Sequence, residues 1–250
     1  MVRAYQVFHQ HILGTDLVMK KITFISALLF ACTANAGLIT NGDFETGDFT
    51  GWNTSQAGGS SLFVAANPGD PTLGASPTND FYAFAGNQIG PSQNIFWQTF
   101  VVPTTLTGLN FSFDYAYDNS TGFVNPNPDS LSHTGLSNQQ FRVEILTGTA
   151  VFDTVNPADI VFTAIQTAPG SPDPQLWTSF SQDIFSAVSS FQGQNLQVRF
   201  AQTDNLSPFD IGFDNVSLSA ITTAVPEPAS LALLSLGLAG LGFFRRKKAA

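Results

Sequence analysis

The chain has 250 residues, of which 43% are hydrophobic and 11% are charged, so it is long enough to bury one sizeable core. Between Gly37 and Ala224 only Arg142 and Arg199 are basic, and 16 acidic residues against these two give a formal charge of −14. A surface this negative repels phosphate backbones, which excludes nucleic-acid binding and leaves divalent cations and neutral or cationic ligands.

Cysteine and histidine are scarce. The only cysteine is Cys32, and His133 is the only histidine between Gly37 and Ala224. This stretch therefore cannot build a zinc cage, a Cys-His pair or an iron–sulfur site, and a Ser-His-Asp triad would need His133. Because His133 lies among serine, asparagine and proline residues, we interpret it as a solvated loop residue. The sequence predicts a protein that is not an enzyme.

The amino end has the three parts of a secretory signal peptide. From Met19, Lys20 and Lys21 precede an apolar run of about ten residues. The small residues Ala34 and Ala36 then mark a cleavage site. We expect residues 1–36 to be the signal peptide, Met19 to be the true start and cleavage to follow Ala36. Lipoprotein processing at Cys32 is the alternative, but the bulky Phe30 stands where such a site has a small residue.

The carboxyl end, residues 225–250, also has three parts. Pro226, Glu227 and Pro228 precede an uncharged run, Ala229 to Phe244, and a basic cluster of Arg245, Arg246, Lys247 and Lys248 follows it. As a helix, the run reaches about 24 Å at about 1.5 Å per residue, a little less than a hydrocarbon core of about 30 Å. We expect a short transmembrane helix with its basic end in the cytoplasm, which anchors the preceding domain outside the inner membrane.

This tail resembles the PEP-CTERM sorting signal of exported proteins from Gram-negative bacteria. The resemblance implies that an exosortase, a membrane-embedded protease or transpeptidase, is the partner and recognises Pro226, Glu227 and Pro228. It also implies a bacterium that makes exopolysaccharide and biofilm. The two prolines keep the junction extended and free of helix, which makes it accessible to an enzyme at the membrane face.

Between the two ends, apolar residues alternate with polar ones in short runs separated by Gly, Pro, Asn and Asp. In the clearest run, Leu109 to Tyr117, five apolar residues share one face. Another run, Ile211 to Leu218, needs one register slip that a bulge could absorb. About nine short strands and no amphipathic helix predict an all-β fold, a β-sandwich, over residues 37–224. The other predicted strands lie near Ser61–Ala65, Phe81–Ala85, Ile95–Val102, Phe141–Ile145, Ile160–Gln166, Trp177–Phe185 and Leu196–Phe200.

The domain opens with NGDFETGDFTGW, Asn41 to Trp52, and closes with FDNVSLSA, Phe213 to Ala220. Together these motifs resemble carbohydrate-binding-module-like, or galactose-binding-like, jelly rolls. The resemblance implies a jelly-roll β-sandwich whose first and last strands lie close together. It also implies a structural Ca²⁺ bound by Glu45 and Asp214, with the backbone carbonyl of Gly42 as a further ligand. Other oxygen ligands would have to complete the site.

Sugar recognition needs flat aromatic rings with hydrogen-bonding groups beside them. We take Tyr82, Trp97 and Tyr117 as candidate ligand-binding residues, although each could equally belong to the core. The predicted function is that of an exported cell-surface or matrix protein, either structural or carbohydrate-binding, associated with exopolysaccharide. The alternatives are a glycan-processing hydrolase that uses two of the carboxylates, and a purely structural domain without a small ligand.

Overall fold

The computed structural model describes residues 37–67, 69, 72–77, 80–119 and 126–223. In this part of the chain lie eight strands, a four-residue helix and one turn of 3-10 helix, Ser189–Phe191. The elements in chain order are β1 (Asn53–Ala66), β2 (Phe81–Val101), β3 (Leu106–Asn119), β4 (Gln140–Thr147), β5 (Ile160–Gln166), β6 (Gln175–Asp183), α1 (Phe185–Val188), β7 (Asn195–Asp204) and β8 (Phe209–Thr222). No helix among the described residues is long and apolar enough to cross a membrane. The predicted signal helix and C-terminal helix lie outside them.

The strands form one antiparallel sheet that folds over on itself. Its order is β5-β4-β7-β2-β8-β3-β6, and β1 pairs with β2. Strand β2 pairs with β8 through Ala83–Ala85 and with β7 through Ser92–Val101, so it passes from one layer to the other. We call the layer of β7, β4 and β5 the front layer and the layer of β8, β3 and β6 the back layer. The ribbon of β1 and β2 belongs to both. The predicted all-β jelly-roll β-sandwich is confirmed.

Glycines allow the β1–β2 ribbon to bend. The pairing register shifts between Gly58 and Ser60, and Gly58 has a φ of +76°. A Cβ on Gly58 would lie 2.0 Å from the carbonyl oxygen of Pro91, so no larger residue fits at this crossing. Because of this bend, the number of strands differs from the prediction. Phe81–Ala85 and Ile95–Val102, predicted as two strands, belong to the single long strand β2.

Aromatic rings from both layers meet in the core. Phe113 on β3 packs edge to face against Phe200 on β7, with ring centroids 5.6 Å apart. Phe213 on β8 packs in the same way against Phe96 and Phe141, at 5.7 and 5.6 Å. All five rings are buried. Each contributes about 1.5 to 3 kcal/mol through burial.

A bulge in β8 fixes the direction of the residues near its middle. Asp114 pairs with Asp214 and Ser112 with Ser217, so β8 has one residue more than β3 in this interval. Asn215, with a φ of +52°, lies at the bulge. The register slip predicted in this run is therefore present. The bulge returns the Val216 side chain to the core. Asp214, which lies between the core residues Phe213 and Val216 in the sequence, is on the opposite face of the sheet.

Candidate functional site

The outer face of the front layer carries a row of side chains that crosses all five strands. Asn53 on β1 lies opposite Trp97 on β2, and Trp97 lies opposite Arg199 on β7. Arg199 pairs in turn with Glu144 on β4, and Glu144 with Thr163 on β5. Residues directly opposite each other in an antiparallel sheet share a face, so these side chains lie side by side.

A buried ion pair stands beside Trp97 in this row. Arg199 and Glu144 are fully buried, and the Arg199 Nη2 donates to Glu144 Oε2. The Arg199 Nη1 also donates to the carbonyl oxygens of Phe152 (2.9 Å) and Thr154 (2.6 Å). The ion pair therefore fastens the loop of residues 148–159 over the sheet.

Arg142 fastens a second loop in the same way. Its Nη1 lies 3.6 Å from Glu144 Oε1, and its Nη2 donates to the carbonyl oxygen of Pro128 (2.6 Å). Burial lowers the pKa of Arg142, and the negative charge of Glu144 opposes that shift. Because Arg142 and Arg199, the two basic residues between Gly37 and Ala224, are both buried, this domain exposes no lysine or arginine.

Trp97 and Phe152 form an aromatic platform on this face. Their rings stack with centroids 4.7 Å apart and planes 11° apart, and both side chains are half-buried. Asn53 and Thr99, the polar neighbours of Trp97 along the sheet, are exposed. A half-exposed ring beside uncharged hydrogen-bonding groups can take the apolar face of a sugar and bind its hydroxyls at the same time.

The two other predicted ligand-binding rings are core residues. Tyr82 is fully buried on the outer face of the back layer, where it packs edge to face against Trp177 at 5.4 Å. Tyr117 is buried between the layers against Phe141 and Phe209, and burial raises its pKa to about 12. Of the three predicted rings, Trp97 alone keeps an exposed part.

The opening motif lies against the bulge of β8. The Val216 N–H donates to the carbonyl oxygen of Gly42 (2.8 Å), and a Cβ on Gly42 would lie 1.9 Å from the Val216 carbonyl oxygen. Only glycine fits this close approach. Glu45 accepts hydrogen bonds from the backbone N–H groups of Asp80 (3.0 Å) and Phe81 (3.1 Å) through Oε1. The motif is thus tied to the closing strand and to the start of β2.

Asp214 is fully buried beside this motif. Its Oδ2 accepts from Ser76 Oγ (2.6 Å), and its Oδ1 accepts from the Asn215 N–H (2.7 Å). Burial raises the pKa of Asp214 to about 6, and the negative charges of Asp114 and Glu45 add to the shift. A bound cation would relieve both causes.

The donor atoms of these residues are of the kind that calcium binds. Gly42, Glu45 and Asp214 offer only oxygen, which is the ligand that Ca²⁺ requires. Among the described residues, however, no three acidic, histidine or cysteine side chains are grouped closely enough to hold a metal. Backbone carbonyls and hydroxyls would therefore have to supply much of the coordination.

The predicted sorting and cleavage residues lie outside the described residues, but a family model covers most of the tail. The model, described as the PEP-CTERM protein-sorting motif, matches residues 224–247. The chain carries a PEP-CTERM sorting motif. Pro226, Glu227 and Pro228 lie within the match, as do Arg245, Arg246 and Lys247, whereas Lys248 is one residue beyond it. The motif indicates export, sorting to the cell envelope and processing by an exosortase.

Structural neighbours of the domain include carbohydrate-binding modules with β-sandwich folds. The module TmCBM61, solved with β-1,4-galactotriose, has a TM-score of 0.44 at 9% identity, over 75% of this chain and 99% of that one. The CBM22-1 xylan-binding domain of Paenibacillus barcinonensis Xyn10C has a TM-score of 0.41 at 13% identity, over 77% and 99%. The enzymatically active domain of bacteriophage CBA120 tailspike protein 4 has a TM-score of 0.43 at 12% identity, over 74% of this chain and 21% of that one. No curated protein matches the sequence.

The sequence did not indicate several residues that build the aromatic platform. Phe152 lies in a loop, where no periodicity marks a residue's direction. Arg142, Glu144 and Arg199 alternate with core residues, a pattern typical of a solvated face, yet loops cover all three. The sequence offered one signal, which was the charge composition. With two arginines for 16 acidic residues, the domain has few basic residues that could form buried ion pairs.

Proposed function

We propose that the chain is an exported cell-envelope protein whose β-sandwich binds a glycan of the exopolysaccharide matrix on the outer face of the front layer. The observation that carries the proposal is the half-buried Trp97, which keeps an exposed part, is stacked on Phe152 and is flanked by uncharged polar side chains. The loop that presents Phe152 is fastened by Arg199, so the platform is ordered before a ligand arrives. Preorganisation of this kind lowers the entropy cost of binding.

The charge of the domain favours a neutral glycan. The exposed surface has many carboxylates and no lysine or arginine, so a glycan rich in uronic acids or sulfate would be repelled. A neutral polymer meets no such barrier. Its hydroxyl groups suit the amide of Asn53 and the hydroxyl of Thr99.

The proposal predicts that Trp97→Ala weakens binding of a neutral polysaccharide by about tenfold or more, which corresponds to about 1.4 kcal/mol. Asn53→Ala, at an exposed position, should weaken binding to a smaller degree. Trp177→Ala is the matched control, because Trp177 is also half-buried but lies on the back layer. Titration calorimetry against a panel of neutral and acidic polysaccharides would measure these affinities.

Three results would contradict the proposal. Equal affinities for the parent and Trp97→Ala would show that the platform does not bind the glycan. Release of reducing sugar during the same incubations would favour the hydrolase over the binding module. Failure of the parent to bind any polysaccharide would favour a purely structural domain.

We also propose that the run Ala229 to Phe244 anchors the precursor in the inner membrane until the exosortase acts. Replacing Arg245, Arg246, Lys247 and Lys248 by glutamine is expected to reduce the membrane-bound precursor, because the cytoplasmic charges that hold the helix in place are lost. Exchanging the two arginines for lysine keeps the charge and serves as the control. Cell fractionation with immunoblotting measures the precursor. Unchanged retention in the glutamine variant would contradict the anchor.

Finally, we propose that a structural Ca²⁺ joins the opening motif to β8 through Glu45, Asp214 and the carbonyl of Gly42. The raised pKa of the buried Asp214 and the nearby charges of Asp114 and Glu45 support a cation here. When bound, the ion would supply positive charge that neutralises these carboxylates. The protein's own part is to bring the first and last segments of the domain together.

A further inference from the structure

The interior of the sandwich becomes polar near the turn between β7 and β8. Ser92 and Asn94 on β2 lie opposite Asp204 and Gln202 on β7. All four face the back layer, because the next residue on the same side of each strand belongs to the aromatic core. Their side chains are at most 1% exposed, and the Ser92 Oγ donates to the Asp204 Oδ2 (2.7 Å). A carboxylate and amides thus take the place of aromatic rings at this end of the interior.

Asn94 and Gln202 use all of their amide hydrogens. The Asn94 Nδ2 donates to the Gln202 Oε1 (2.7 Å) and to the carbonyl oxygen of Gly86 (3.1 Å). The Gln202 Nε2 donates to the Asp204 Oδ2 and to the carbonyl oxygen of Phe209 on the back layer (3.2 Å). Because an amide nitrogen carries two hydrogens, neither side chain has another one to donate.

Gln139 joins this network from the other side of β7. The pairing of β4 with β7 places Gln139, the residue before β4, next to Asp204. The Gln139 Nε2 donates to the Asn119 Oδ1 at the end of β3 (2.5 Å), so the side chain crosses between the layers. The same Nε2 also donates to the Oγ (3.3 Å) and the carbonyl oxygen (3.4 Å) of Ser207. We define the inner polar cluster as Ser92, Asn94, Asn119, Gln139, Gln202 and Asp204.

Two buried oxygen atoms of the inner polar cluster accept no hydrogen bond from the described part of the chain, namely Asn94 Oδ1 and Gln139 Oε1. Their side chains are 1% and 0% exposed. A buried acceptor without a donor is costly, and exchanging the oxygen and nitrogen of either amide would break the bonds that its nitrogen now donates. Because both atoms are acceptors, the group that completes the cluster is electropositive.

We propose that the inner polar cluster binds a monovalent cation, Na⁺ or K⁺, through the carboxylate of Asp204 and the amide oxygens of Asn94 and Gln139. The two amides come from the segments on either side of β7, so they flank Asp204. Carbonyl oxygens of this kind can replace the hydration shell of such an ion. The bound ion joins three strands of the front layer. The inference depends neither on glycan binding nor on the calcium site.

Charge favours a monovalent ion over Ca²⁺ at this place. The inner polar cluster has one carboxylate, which one positive charge balances. A divalent ion would leave a net positive charge in an interior of low polarity. The two arginines of the domain, Arg142 and Arg199, lie with Glu144 on the outer face of the front layer and not in this interior. The proposed calcium site differs, because further carboxylates lie near Asp214.

Thermal melting of the full chain in a nonionic detergent tests whether the ion binds. Sodium, potassium and choline chloride are compared at equal ionic strength, with a calcium chelator throughout. Choline screens charge as the other cations do, but it is too large for a buried cluster. We expect melting in NaCl or KCl about 3 °C or more above melting in choline chloride, because an ion that binds only the folded state stabilises it. Equal melting temperatures in the three salts would overturn the proposal and favour an uncharged occupant such as water.

Two variants show where the ion acts. Asp204→Asn should abolish the difference between the salts, because the carboxylate that balances the cation is gone. Asp153→Asn is the matched control, since it removes one negative charge from an exposed position, and it should keep the full difference. A difference that survives in Asp204→Asn, or one that is lost to the same degree in Asp153→Asn, would show that the salts act on the surface charge and would overturn the site.

Anomalous scattering locates the ion without any variant. Crystals of the parent protein grown with rubidium in place of the other alkali-metal ions should show an anomalous peak in contact with the Asp204 carboxylate, Asn94 Oδ1 and Gln139 Oε1. A cluster without such a peak overturns the proposal even where Asp204→Asn fails to fold. Neither result affects glycan binding, which is measured separately on Trp97→Ala.

Discussion

Replacing Glu144 by Gln is expected to lower the free energy of unfolding by about 3 to 5 kcal/mol, a large fraction of the stability of an ordinary domain. The reason is the position of Arg199, which is fully buried and has Glu144 as its ion-pair partner. Removing one member of a buried pair leaves the other charge without compensation in a medium of low polarity. Glutamine keeps the shape of the side chain, so the loss measures charge rather than packing.

Urea unfolding of residues 37–223, which lie within one compact unit, would measure this effect. Asp153→Asn is the control, because Asp153 is exposed in the loop that Arg199 fastens. Its stability should change little. The double variant Glu144→Gln with Arg199→Gln should recover part of the loss, since the uncompensated charge of Arg199 is gone and only Arg142 still lacks its acidic partner. A single Glu144→Gln variant as stable as the parent would show that the pair contributes nothing.

The same substitution connects stability to the proposed function. Arg199 holds the carbonyl oxygens of Phe152 and Thr154, and the Phe152 ring supports Trp97. Once Glu144 no longer fixes Arg199, the loop of residues 148–159 loses its anchor. We therefore expect Glu144→Gln to weaken glycan binding although Glu144 cannot contact the ligand. The aromatic platform thus depends on a buried charge two strands away.

The strands that alternation predicted are those in which one face packs against the core. In Leu109 to Tyr117 the apolar residues point toward the other layer, and β3 contains that whole run. The bend of β1 and β2 was not predicted, because it depends on the close approach of Gly58 to Pro91, 33 residues later in the chain. A local pattern therefore divided β2 into two predicted strands.

Which polar faces are covered could not be predicted from alternation either. The pattern shows that Arg142, Glu144 and Arg199 point away from the core, but loops of 12 or more residues decide whether that face meets solvent. The direction of such loops depends on specific contacts, such as Arg199 with Phe152. Tyr82 illustrates the same limit, since it points outward from the back layer and is nevertheless fully buried. Trp97 was selected by residue type, and only tertiary structure separated it from the two tyrosines.

Asp214→Asn is expected to change how stability depends on both pH and calcium. In the parent, the folded-state pKa of Asp214 is about 6, above the ordinary value of 3.8. The folded state therefore holds this proton more tightly than the unfolded state does. Without calcium, the free energy of unfolding should fall as pH rises from about 4 to 6 and stay low above that, by at most about 3 kcal/mol. The contribution is fully present below pH 4.

The asparagine variant removes this titration and can keep the neighbouring hydrogen bonds. Its Oδ1 can accept from the Asn215 N–H, and its Nδ2 can donate to Ser76 Oγ, whose present bond to Asp214 is 2.6 Å. Between pH 4 and 6 its stability should stay level. At pH 7 in the presence of chelator it should be more stable than the parent, because it has no buried carboxylate to ionise.

Calcium should largely remove that difference. A ligand that binds only the folded state adds about 2.7 kcal/mol at 100 times its Kd, so the parent should regain at pH 7 about what ionisation of Asp214 removed. Asp214→Asn should not respond to calcium, whereas Asp43→Asn, exposed in the opening motif, should respond like the parent. Thermal melting at pH 4, 6 and 7, with chelator or Ca²⁺, would measure all three. If the parent loses stability from pH 4 to 6 but gives identical curves with chelator and with Ca²⁺, the raised pKa of Asp214 is supported and the calcium site is excluded. The pH response and the calcium response are therefore separate measurements on one carboxylate.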